Sequence, residues 1–209
     1  MLTDKKRVFW EALILTANFF ENKRVEVIEE YYIQSENSLM DIFALNNFVS
    51  LNNISCDTLI SSNINFANRI YDEAKILDEY ERTGKITDKI DIQHKKYDIM
   101  RTFLWINTIK TSEICKDNSI HTVVYIYQFN TNDLTEKATN SVWSKILVDL
   151  KETRGNEIIL IPIAFDSSII ALNSILENYD IQQYPVLIID DKEVIKELSS
   201  VEEIENYLS

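Results

Sequence analysis

With 209 residues and 45 % apolar side chains, the chain is long enough for one large domain or two small ones with a real core. Two glycines and two prolines exclude a Gly-rich phosphate loop and favour long helices with few tight turns. The formal charge of −13 is uneven, with 14 basic against 18 acidic residues over 1–115 and 7 against 16 over 116–209. So acidic a C-terminal half argues against nucleic acid as a partner.

The N-terminus, "MLTDKKRVFWEALILTANFFENKR", sets three basic residues before an apolar stretch from Val8 to Phe20. That stretch has 13 residues, contains Glu11 and Asn18, and falls short of the ~20 apolar residues needed to span a bilayer. No small-residue cleavage site follows it. Two readings stand: an amphipathic helix packed on the protein or on a partner, and a shortened membrane anchor. Phe9, Trp10, Phe19, Phe20, Tyr31 and Tyr32 are more aromatic surface than one amphipathic helix easily hides. They fit either core packing or an interface with a partner helix or a second copy.

Nothing interrupts a helix from Thr3 to about Gln34. "ENSLMDIFALNNFVSLNN" predicts a second, shorter helix with Leu39, Ile42, Phe43, Leu45 and Phe48 on one side, and "NNIS" reads as a break. Residues 57–82 place Leu59, Ile60, Ala67, Ile70, Tyr71, Ala74, Leu77 and Tyr80 at three- and four-residue spacings, with Asp57 as N-cap and Gly84 past the end. Residues 88–113 repeat the pattern with Ile92, Ile99, Met100, Phe103, Leu104, Ile106 and Ile109 behind a Thr87–Asp88 cap. The two are expected to form a long antiparallel hairpin around "RTGKIT".

A turn near Lys85 puts Cys56 29 residues before it and Cys115 30 after it, at the same end of the hairpin. A disulfide between them would add up to about 4 kcal/mol on the chain-entropy model and place this half outside the cytoplasm. Two free thiols at helix ends, in a reducing cytosol, is the other reading.

From His121 the period changes. "HTVVYIYQF" (121–129) reads as a strand, and the segment from Asn132 or Asp133 to Gly155 as a capped helix. "EIILIPIAFD" (157–166) is a second strand, "SSIIALNSILENYD" a helix, "YPVLIID" a strand and "DKEVIKEL" a short strand after a turn at Asp190–Asp191. "SSVEEIENYL" closes as a helix with a Ser200-to-Glu203 capping box. The order is β-α-β-α-β-β-α. Strand–helix–strand connections predict parallel neighbours, and the late hairpin adds an antiparallel edge.

Proline cannot donate to a ladder and is confined to edges, bulges or a strand's first residue, so Pro185, directly before "VLIID", marks a boundary. With the element order, this makes residues from about 119 to 209 resemble a thioredoxin domain, with 158–208 similar to its C-terminal two thirds: a strand ending in Asp166, a helix ending in Tyr179–Asp180–Ile181, then Pro185 before the central strand. The resemblance implies a cis Tyr184–Pro185 bond and a groove beside it, lined by Tyr184, Pro185, Asn132 and Asp133, that receives an extended segment of another chain. It also implies a Cys-x-x-Cys where the first strand meets its helix. This chain has "YQFNTNDLTEKA" there, with no cysteine, serine or histidine, so thiol–disulfide exchange at that site is chemically impossible.

Other chemistry is sparse. His94 has Asp91 and Asp98 at i−3 and i+4, but no cysteine or second histidine completes a zinc site. Asp190–Asp191 and Glu202–Glu203 fit local roles in a turn and a first helical turn. The expectation is therefore an α+β chain in two parts. A helical region (1–115) precedes a thioredoxin-like domain (119–209) that acts as a redox-inactive binding or scaffolding protein. No catalytic residue, cofactor or metal is called for, and the partner is a protein or a second copy. The alternatives are an oxidoreductase or redox sensor using Cys56 and Cys115, and a membrane-tethered extracytoplasmic domain.

Overall fold

The computed structural model describes residues 2–49, 55–83, 88–116, 120–181 and 183–208. The "RTGKIT" turn with Gly84 and Thr87, most of the "NNIS" break, and the side chains of Phe48, Leu77 and Tyr80 lie outside what is described. Three helices come first: α1 (Leu2–Val49), α2 (Cys56–Thr83) and α3 (Asp88–Cys115). A four-stranded mixed sheet with helices follows: β1 (His121–Tyr127), α4 (Leu134–Arg154), β2 (Ile158–Ala164), α5 (Ile170–Leu176), β3 (Val186–Ile189), β4 (Glu193–Ile195) and α6 (Val201–Glu205).

Helix α1 is one helix where two were expected. "QSENS" holds neither glycine nor proline, and its serines are used within the helix and across it. Ser38 Oγ bonds back to Gln34 O at 3.0 Å, while the buried Ser35 donates to Glu73 of α2. Arg69 of α2 adds bonds to Gln34 O (3.2 Å) and Ser38 Oγ (2.6 Å). Helix α2 begins a residue early, because Ser55 rather than Asp57 receives the Thr58 N–H. Cys56–Cys115, Asn63–Thr111 and Glu73–Tyr97 are joined pairs that climb α2 as they descend α3.

The buried face of α3 is the predicted one in part: Met100 and Leu104 are buried and Ile99, Ile106 and Ile109 half-buried, as expected. Ile92 and Phe103 are exposed, while Tyr97, Met100, Leu104 and Trp105 are buried along with Gln93, Asp98, Arg101, Thr102, Asn107, Thr108 and Thr111. Helix α3 lies between the other two helices and the sheet, so polar residues on several sides are buried and a single apolar stripe does not define it.

The strand order is β2-β1-β3-β4. β1 runs parallel to β2 from His121↔Ile158 to Tyr127↔Ala164, and antiparallel to β3 from Val123↔Ile189 to Ile126↔Val186. β3 and β4 pair antiparallel. The expectation that both strand–helix–strand connections yield parallel neighbours therefore fails at the second. Helix α5 has seven residues, about 10 Å of rise against roughly 23 Å for the seven-residue β2. The chain thus re-enters the sheet at the end it left. Pro162 sits in β2, an edge strand, where one side of the backbone needs no ladder partner.

The two faces of the sheet are both covered. Val124, Ile126, Ile159, Ile161, Ile163, Val186 and Ile188 share one cluster with Leu39, Phe66, Tyr97 and Trp105 of the first three helices and Leu172 of α5. Val123, Tyr125, Leu160, Leu187 and Ile189 point the other way onto Trp143, Leu147 and Leu150 of α4 and Ile204 and Leu208 at the C-terminal end. Asp133 caps α4 by accepting from Thr135 N (2.7 Å) and Glu136 N (3.3 Å), and Gly155 ends it at φ 54°. Both halves of the Ser200–Glu203 capping box are formed.

Candidate functional site

The reversed direction of β3 gathers the C-terminal ends of β1 and β2, the start of β3 and the N-terminus of α4 at one end of the sheet. There the Tyr184–Pro185 bond is cis and β3 begins at the next residue. Tyr184 stacks on Phe165 with ring centroids 3.9 Å apart and planes 16° from parallel. Both border a cavity of about 360 Å³ shared with Pro185, Gln128, Gln183, Glu136 and Asn140. Burial pushes the Tyr184 phenol pKa up, so the ring meets a ligand as a neutral hydroxyl.

The loop from β1 to α4 is held by hydrogen bonds. Asp166, just after β2, accepts from Phe129 N (3.0 Å) and Asn130 N (2.8 Å). Asn140 accepts from Tyr125 Oη (3.1 Å) and donates to Gln128 O (3.0 Å), while Thr131 donates to Glu136. Of the four residues expected to line a groove, Tyr184 and Pro185 border the cavity. Asn132 and Asp133 stand exposed outside its lining, Asp133 being committed to the α4 cap. Phe165, Gln128 and Asn140 take their place. What this end offers is an aromatic stack, side-chain amides and a carboxylate, groups that can stack and hydrogen-bond.

The opposite end of the sheet holds a second cavity of about 370 Å³, bordered by Asn63, Thr111, Cys115, His121 and Asp190. Asp190 accepts from His121 Nδ1 (2.6 Å) and Thr122 N (2.8 Å). Asp191 accepts from Trp105 Nε1 (2.5 Å) and, more weakly, from Tyr179 Oη (3.4 Å), and burial raises its pKa despite these donors. Both aspartates have positive φ, 49° and 58°, with Lys192 N bonded to Ile189 O (3.0 Å), as a turn of the primed type requires, and residues 190–192 separate the paired Ile189 and Glu193. Their role is thus larger than the local one expected: each also ties the turn to another part of the fold. Sequence reading missed the His121–Asp190 pair, since it needs the antiparallel β1–β3 register, which sets the end of β3 beside the start of β1.

Cys56 and Cys115 are joined, with Cα atoms 5.5 Å apart. His94 packs its ring on Phe129 at 4.0 Å, and among the described residues no group of three or more His, Cys, Asp or Glu side chains is placed to hold a metal ion. Glu202 and Glu203 lie in the first turn of α6, where Glu203 completes the box. Comparison with protein-family models, curated proteins and solved structures finds no match to this chain.

Proposed function

We propose that the chain is a non-catalytic binding module whose residues from about 119 to 209 form a redox-inactive thioredoxin-like domain, buttressed by a helical hairpin. The observation that carries the reading is the Phe165–Tyr184 stack at the head of β3, bordering a cavity beside the thiol-free β1–α4 junction. The element order β-α-β-α-β-β-α supports it too. An extended peptide would stack on Tyr184 and Phe165 and exchange hydrogen bonds with Gln128, Gln183 and Asn140. The test is selection of peptides on the full chain, followed by titration of the winners against Tyr184→Ala. Loss of a buried aromatic contact should weaken them by about tenfold or more. Unchanged affinity for every selected peptide would remove the groove from consideration.

A second reading is favoured by one observation: Cys115, joined to Cys56, borders the cavity that His121 and Asp190 also border. In this reading the pair is a thiol–disulfide couple, a reductase or redox sensor away from the family's usual site, in an oxidising compartment. Reductase activity present in the native chain and absent from Cys56→Ser/Cys115→Ser would establish it.

A further inference from the structure

Gln34, Ser35 and Ser38 bond the second half of α1 to α2, and Tyr32, Leu39 and Ile42 pack it into the core. Its first half carries Phe9, Trp10, Ile14, Leu15, Phe19 and Phe20, each between 58 and 69 % exposed. At 100° per residue, Arg7, Glu11, Asn18 and Asn22 fall on one narrow stripe of this helix, and the six large apolar residues spread over the remaining arc of about 260°. Arg7 Nε meets Glu11 at 3.4 Å within that stripe, pairing the single charge inside the Val8–Phe20 stretch.

We propose that the first half of α1 docks in the interface of an anionic lipid bilayer. The width of the apolar arc selects lipid over a second copy, because a partner helix covers a stripe on the order of 100° and would leave most of these side chains in water. Charge selects an anionic surface. Residues 1–24 carry five basic against three acidic residues, +2, while residues 25–209 carry 16 against 31, −15. Lys5, Lys6 and Arg7 precede the apolar stretch and Lys23 and Arg24 follow it, so both ends of the stretch meet headgroups while the acidic body is held off. The 13 residues from Val8 to Phe20 span about 20 Å, short of the ~30 Å hydrocarbon core. No helix among the described residues is long and apolar enough to cross a membrane. The helix therefore lies along one leaflet, its narrow polar stripe towards water.

Trp10 makes the test direct: it is 63 % exposed, whereas Trp105 and Trp143 are fully buried at 0 and 1 %. The full chain is mixed with phosphatidylcholine vesicles with and without phosphatidylglycerol, and followed by flotation and by iodide quenching of tryptophan emission. The expected result is flotation with the anionic vesicles, a blue shift and loss of quenching. Lys5→Gln/Lys6→Gln should weaken binding about fivefold for each charge removed. Phe9→Ser/Trp10→Ser/Phe19→Ser/Phe20→Ser should abolish flotation with unchanged circular dichroism and unchanged emission from the two buried tryptophans. Absence of flotation from anionic vesicles, or flotation of the fourfold variant, overturns the proposal. So does shielding of Trp10 that appears with protein concentration alone and ignores vesicles, which would assign the face to a second copy.

Discussion

Asp98 is fully buried at 0 % exposure, and what it touches sets the cost of removing it. Its carboxylate accepts from Arg101 Nη1 (3.3 Å) on the same helix, from Ala164 N (3.3 Å) at the end of β2, and from Ser167 Oγ (2.5 Å) just beyond. Asp98→Ala leaves the Arg101 guanidinium, itself 7 % exposed and with Nε already unpartnered, charged and without a counterion inside the protein. Breaking a buried pair in this way costs about 3–5 kcal/mol, and the stranded Ala164 N–H adds about 1 kcal/mol or more. A loss of about 4 kcal/mol is a large share of the ~5–15 kcal/mol that holds a domain folded. In urea titrations followed by far-ultraviolet circular dichroism it should move the midpoint down by about 1.5 M at a slope of about 2.5 kcal/mol/M. Arg101→Met in the Asp98→Ala background removes the stranded charge and should recover about 2 kcal/mol. If Asp98→Ala costs under about 1 kcal/mol, or the double variant loses the sum of the two single losses, then the pair does not fasten α3 to the sheet as argued.

Further expectations concern other buried groups. Reducing the Cys56–Cys115 bond, or replacing both with serine, should cost about 4 kcal/mol for a sequence separation of 59, measured by urea titration with and without reductant. Burial, the largest cause in each case, raises the pKa values of Glu73, Asp98 and Asp191. The folded state then binds more protons than the unfolded one between those raised values and the ordinary 4.5 and 3.8. Stability should accordingly rise as pH falls from neutral towards about 5 and be lost again as pH rises through the folded values; a lower urea midpoint at pH 5 than at pH 7.5 would refute this. Trp105→Phe removes the donor to Asp191 Oδ1 and should cost about 2 kcal/mol, a fall in melting temperature of about 6 °C in a thermal scan.

Local signals in this sequence are legible where one interaction decides the outcome. Asp133, Gly155 and the Ser200–Glu203 pair cap helices as their residue types predict, since a cap is settled within a few residues. The limits of α2 and α3 fall within one or two residues of those read from periodicity. Strand direction is different. Whether β3 runs with or against β1 depends on how far the 21 residues between β2 and β3 carry the chain, which no residue of β3 records. The His121–Asp190 pair was illegible for the same reason. The buried polar residues of α3 were hidden by another cause: Asp98, Thr108 and Thr111 look like a solvated face until the sheet and α2 are packed against them. At the candidate groove, Pro185 was readable from its strand, whereas Phe165 and Asn140 come from elements far along the chain and carried no signal of their own.

The change of period near residue 120 divides the chain into a helical and a strand-rich half, yet the core ignores that division. Ile126, Ile161 and Ile188 meet Phe66, Tyr97 and Trp105 in one cluster, and Trp105 and Asp98 each reach across to the other half for a hydrogen bond. In evolutionary terms the helices cannot be traded as a detachable cassette. A recombination that gave the sheet a new N-terminal segment would have to bring a matching apolar face, a donor for Asp191 and an acceptor for Ser167 in the same event. The two halves can drift in sequence only together, and the surface left free to diverge is one outside their seam, such as the exposed apolar residues of α1 from Phe9 to Phe20.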